Sequence, residues 1–207
     1  FIDNNAVDYN VQFFDNYNYT VYIPTNDALK AAIEKGLPTW ESIQEDYEKC
    51  DKNDDGSLKN EVDKLRLQYK ITYLTNFVRT HFADKTFFAD KSDANVEQIT
   101  SSYNNDNGLF VKAFARRSNG QLQVKDNTET GKWLNAVYTT AEGRDVKNIM
   151  TCDRECNSKV KDQSMNGKTV IATSYAVVHL VDGVLNHVQL SEDGTYPDFQ
   201  KEAEEAE

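Results

Sequence analysis

The residues best suited to chemistry are few. The 207-residue chain holds three histidines, His81, His179 and His187, and none of them lies in a Gly-x-Ser-x-Gly, phosphate-loop or His-Glu-x-x-His pattern. A general base or a metal site would have to be assembled from scattered residues. His81 and His179 stand among apolar neighbours, where an imidazole is expected to be a hydrogen-bonded core residue before it is a base or ligand. Asp182-Gly183 reads as a turn in which the carboxylate holds backbone amides. Thr25, Asn26 and Asp27 open a helix, where they can cap the free amides or leave them to an anion; capping is the expected use.

The most pointed local pattern is Asp51-Lys52-Asn53-Asp54-Asp55-Gly56-Ser57-Leu58, which follows the start of an EF-hand-like calcium loop. Asp51, Asn53 and Asp55 would offer side-chain oxygens and Ser57 its carbonyl. Position twelve is Val62, so the closing carboxylate has to come from Glu61 or Asp63. Calcium would then be held weakly, at about 10⁻⁴ to 10⁻³ M, and a solvated connection between helices has the same composition. Cys50, Cys152 and Cys156 are too few for a disulfide scaffold, and their pairing is left open between free and locally bridged thiols. Glycan hydrolysis would need two carboxyls about 5 to 10 Å apart, with Asp153, Glu155 and Asp182 as candidates.

Bulk composition narrows the partners. With 34 acidic and 23 basic residues the net charge is -11, which disfavours nucleic acid and anionic membrane surfaces. No stretch approaches the roughly 20 apolar residues of a membrane span, so direct insertion by this segment is not expected. A hydrophobic content of 39%, with 11 Tyr and 10 Phe, suffices for a packed core. Without repeats or Pro-rich linkers, residues 1–207 read as one domain, with an insertion-like helix connection near 46–64 and an acidic tail at 199–207 that should fray or form a solvated helix.

The elements that must position these residues follow from periodicity. Val11–Phe14 and Tyr19–Ile23 read as strands, and a helix from Thr25 or Asn26 stops at Gly36. Trp40–Glu48 is a second helix capped by Thr39. In Asn60–Phe82, Leu67, Ile71, Leu74, Val78 and Phe82 form one stripe toward a core. Strands are then expected at Thr86–Phe88, Val96–Ser101, Leu109–Ala115, Leu122–Lys125, Trp133–Thr139 and Val170–Leu185, with a turn or short helix near Val146–Met150. Asn119-Gly120 marks a tight hairpin.

Tyr19-Thr20-Val21-Tyr22-Ile23-Pro24-Thr25-Asn26-Asp27-Ala28-Leu29 resembles the first signature motif of fasciclin-like domains. Tyr175-Ala176-Val177-Val178-His179-Leu180-Val181-Asp182-Gly183-Val184-Leu185 is similar to the family's closing strand with its histidine and Asp-Gly turn, and Asn76–Phe82 resembles its helix-end element, with Thr80 where tyrosine is usual. The resemblance implies an α+β fold, a wedge-like antiparallel β-sandwich flanked by helices. It further implies a non-enzymatic interaction or adhesion module, in secreted or cell-surface proteins, here of a bacterial lipoprotein type anchored at the outer membrane or in the periplasm. Its partner would be a protein or glycan at the cell surface. The alternative is a glycan-binding or glycan-processing accessory protein. The 18 residues before Tyr19 are fewer than the family places there, so a truncated or atypical start, an open apolar patch beside it and further domains upstream are expected.

Overall fold

The computed structural model describes residues 18–84, 86–90, 96–105, 107–152 and 175–207. Eight strands and four helices are described: β1 (Asn18–Pro24), α1 (Asn26–Glu34), α2 (Trp40–Lys49), α3 (Glu61–Thr80), β2 (Phe82–Ala83), β3 (Glu97–Asn104), β4 (Phe110–Ser118), β5 (Gln121–Lys125), β6 (Leu134–Val137), β7 (Ile149–Cys152), β8 (Tyr175–Val181) and α4 (Phe199–Ala206). The expected strand Val11–Phe14 and the start of the chain lie outside the described residues, as do Asp153, Glu155 and Cys156.

The architecture is a closed, seven-stranded mixed β-barrel, not the antiparallel sandwich expected from the resemblance. Strands β1 to β6 pair in chain order, β6 pairs with β8, and β8 returns to β1. The closing pair is parallel and runs seven residues in register, from Asn18↔Tyr175 to Pro24↔Val181. On its other edge β8 takes β7 along residues 175–178 and β6 at Leu180 and Val181. A sandwich keeps free sheet edges; with both edges of β8 filled, the ring is closed. The continuous apolar character of β1 and β8 suits buried, parallel-paired strands.

Closure around seven strands leaves a narrow interior. It is filled by Tyr22, Phe87, Ile99, Leu122, Val124, Val181 and Leu185, with Ala83, Ala89, Ala113, Ala115 and Ala136 where larger side chains would not fit. Along β4 the residues facing inward alternate, Ala113, Ala115 and Arg117, so a charged residue enters the core in the row set by its alanines. The β4–β5 hairpin turns at Asn119 (φ 51°) and Gly120 (φ 76°), as the sequence predicts for a primed turn.

Helix α1 starts at Thr25, whose Oγ1 accepts the amide of Ala28 (3.3 Å), and α2 starts in a capping box formed by Thr39 and Ser42. Helix α3 runs Glu61–Thr80 behind its cap Asn60, and Phe82 belongs to β2 instead of to the helix stripe. That single stripe is replaced by three contacts around the helix. Tyr73 and Phe77 pack with Ala32, Leu37, Tyr196 and Phe199; Leu67 with Ile43 and Cys50; Val78 reaches Tyr19 and Phe82.

The acidic tail is also corrected. Phe199 and Ala203 are 5% and 0% exposed, and the Phe199 ring meets Tyr73 edge-on at 5.4 Å. Two apolar residues one turn apart suffice to dock the helix, and burying Phe199 alone stabilises by about 2 to 3 kcal/mol. Two smaller expectations change as well: residues 86–88 are not a strand, and β7 begins at Ile149, inside the expected turn segment. No helix among the described residues is long and apolar enough to cross a membrane.

Candidate functional site

The strands that close the barrel bring together two of the candidate residues. Thr20 on β1 and His179 on β8 both bind the backbone of Phe87: Thr20 Oγ1 accepts its amide (2.9 Å), and His179 Nε2 donates to its carbonyl (2.6 Å). Two further side chains hold the same segment. Arg117 Nε donates to the Phe88 carbonyl (2.7 Å) with its guanidinium 3.9 Å over the Phe87 ring, and Asn148 Oδ1 accepts the Ala89 amide (2.8 Å). Residues 86–90 are therefore a strap held across β1, β4 and β8. Burial pushes the His179 ring below the ordinary imidazole value. Beside it Tyr22 Oη and Arg117 Nη1 are buried without a hydrogen-bond partner, and Glu97 is 3.9 Å from the guanidinium.

His81 has a similar role elsewhere. Its Nδ1 donates to the Phe77 carbonyl (2.8 Å) and its Nε2 accepts the Leu185 amide (3.1 Å), which fixes a neutral ring with one proton. Burial takes its pKa to about 4. Thr25 binds α1 to the closing strand through its amide, which donates to the Val181 carbonyl (2.9 Å), while Pro24 ends β1 and Asn26 and Asp27 form the first turn of α1.

At the end of β8 the Asp182 carboxylate accepts from the Asn135 amide (2.7 Å) and from Asn135 Nδ2 (2.8 Å), tying β8 to β6. A Cβ on Gly183 would sit 2.5 Å from Leu134 Cδ2, so the glycine permits this approach. Every described motif residue thus caps, turns or fastens the chain, and no pair of them forms a nucleophile with a base.

The 51–63 segment is a tight turn closed on itself. Lys52 bridges Leu58, Asn53 Nδ2 donates to Ser57 Oγ (2.9 Å), and Ser57 N and Oγ both donate to Asp55 Oδ1, at 2.9 and 2.6 Å. These Ser57 bonds hold the Asp55 carboxyl below its ordinary range. Glu61 pairs with Lys64 (3.2 Å) and Asp63 with Arg66 (3.0 Å), while Asp51 contributes its carbonyl to Lys59 N (3.0 Å). Among the described residues no group of three or more His, Cys, Asp or Glu side chains is gathered as a metal site.

Three residues that hold the fold escape a motif search. Arg117 lies past the expected strand end at Ala115, and its only available signal is the alternation that continues from Ala113 and Ala115. Asn148 carries a positive φ of 53° but no motif. Asp126 is 4% exposed; its Oδ1 accepts from Thr128 N (3.0 Å) and Oγ1 (2.6 Å), and its Oδ2 from Asn186 N (2.8 Å). The Asp-Asn-Thr run is the signature of an Asx-turn, and that was its available signal.

An open concavity lies on the helical side. A groove of about 660 Å³ runs between the α1–α2 connection, α3 and the start of α4. Ile33, Leu37, Pro38 and Phe199 give it apolar surface, and Asp46, Arg66, Lys70 and Asp198 give it charge. Lys70 Nζ meets Asp46 at 2.6 Å, Arg66 Nη1 donates to Gln200 Oε1 (2.7 Å), and Arg66 Nη2 faces the Sγ of unbridged, buried Cys50 (3.5 Å). Burial pushes the Cys50 thiol up, away from reactivity. Ile33 and nearby Leu29 and Trp40 are 42%, 36% and 38% exposed, so apolar surface continues past the rim. No family model matches this chain, and no curated protein matches it either.

Proposed function

We propose that the chain is a non-enzymatic interaction module of a secreted or cell-surface protein, of fasciclin-like kind, that holds its partner in the groove between α2, α3 and α4. The observation that carries this reading is the division of labour among polar side chains. His81, His179, Asp126 and Asp182 are engaged with backbone groups, whereas the groove combines apolar walls with charged side chains near solvent. Mixed walls of this kind suit a protein segment carrying apolar anchors and a polar edge. The resemblance behind the reading rests on the two sequence motifs, which β1 and β8 bring side by side in a parallel pair.

The test is the binding of labelled chain to intact cells, with Ile33→Glu beside the wild type. Ile33 is 42% exposed, so the variant should keep its melting temperature. Binding reduced at least about tenfold supports the groove, a change of about 1.4 kcal/mol or more. Unchanged binding, or turnover of glycosides by the wild type, overturns the reading.

A further inference from the structure

The chain between β8 and α4 is held against α3 by two histidines. His81 ends α3, and His187 lies within the connecting segment. Both nitrogens of His81 face backbone groups of fixed polarity: the Phe77 carbonyl can only accept, and the Leu185 amide can only donate. The site admits one proton. A second would set N–H against N–H and leave the Leu185 amide unpaired beside a residue that is 4% exposed.

His187 is wedged between the rings of Tyr73 on α3 (4.3 Å) and Tyr103 on β3 (5.1 Å), and its Nδ1 is buried without a partner. The other titratable groups around the pair are Tyr196 and Glu202, near Tyr73, and Asp126. Asp126 already accepts from Thr128 and Asn186, so its carboxylate is engaged. Beyond His187 the segment feeds Val188, Leu190 and Tyr196 into the cluster around Tyr73 and Phe77. It then supplies Pro197, Asp198, Phe199 and Gln200 to the groove.

We propose that His81 and His187 form an acid-released latch: when they are protonated, the segment from His187 to Gln200 leaves α3 and the groove loses a wall, while Leu185 stays in the barrel core and the barrel strands stay paired. Burial keeps both rings at a pKa of about 4, and His81 further opposes a charge on His187. The latch therefore stays closed at neutral pH and opens only in marked acid. Its consequence for binding rests on the groove reading; the release itself does not.

The experiment is amide hydrogen exchange on the full chain from pH 7 to 3.5, corrected for intrinsic rates, together with long-range ¹H–¹⁵N spectra of the histidines. His187→Phe keeps an aromatic ring between Tyr73 and Tyr103, and His187→Gln serves as a second non-titrating variant. The expected result is a neutral His81 carrying its proton on Nδ1 at pH 7. In acid, protection of residues 187–206 is lost before that of β4 and β5, and both variants lose it at lower pH than the wild type. A charged or Nε2-protonated His81 at pH 7 overturns the latch. So does loss of protection across the barrel and the segment together, retention of the segment down to pH 3.5, or an unchanged release pH in the variants. Exchange is read without a partner, so its failure leaves the groove reading standing, and loss of the groove reading leaves the latch standing.

Discussion

The barrel and the helical groove treat polar side chains in opposite ways. Inside the barrel, Thr20, His179 and Arg117 are 0%, 1% and 5% exposed, and each makes a hydrogen bond to the backbone of the strap at residues 86–90. In the groove, Asp46 and Lys70 pair with each other while their side chains remain 26% and 20% exposed. A buried donor whose partner is removed leaves a desolvated group behind, whereas a partly exposed ion pair can turn to water. The first arrangement fixes a fold. The second can be exchanged for contacts with another molecule.

The largest effect should come from the barrel. Phe87 is 2% exposed and lies beneath the Arg117 guanidinium, so Phe87→Ala should lower unfolding free energy by about 3 to 5 kcal/mol in urea titrations. A loss below about 1 kcal/mol would show that the strap is not part of the core. Acid should act next. The folded-state pKa of His81, about 4, is below the ordinary 6.5, so the unfolded chain binds more protons between those values. Its contribution is fully present above pH 6.5, declines as pH falls and is gone below about 4, up to roughly 3 kcal/mol in all. Urea midpoints that stay flat over this window would contradict the neutral, buried ring.

His179→Phe keeps the ring volume but leaves the Phe87 carbonyl without its donor, with an expected loss of about 1 to 3 kcal/mol. The smallest effect belongs to the groove: Lys70→Ala should change stability by less than about 1 kcal/mol. A larger loss from Lys70→Ala than from His179→Phe would erase the contrast between the two regions.

The local elements were legible where a short-range device sets them. Thr25, Thr39 and Asn60 cap the helices, and Asn119-Gly120 turns the hairpin, because each acts on amides or dihedrals within a few residues. Barrel closure was not legible. The apolar runs of β1 and β8 mark them as buried, but parallel pairing across more than 150 residues leaves no local trace.

Helix α3 was misread for a related reason. A helix covered on several sides buries Tyr73, Thr75 and Phe77 in different directions, and a one-stripe reading picks Ile71 and Leu74, which are only partly buried. For the site, sequence pointed to His81, His179 and Asp182 but not to their backbone partners at Phe77, Phe87, Leu185 and Asn135. The groove was out of reach because its walls come from three separate parts of the chain.

The contrast is tested most directly by photo-crosslinking on intact cells. A benzophenone amino acid is placed at Ile33 on the groove and, separately, at Gln123 on β5 of the barrel. The account predicts a covalent adduct from position 33 and none from position 123. Adducts from position 123 alone, or from neither position while the chain still binds, would contradict it.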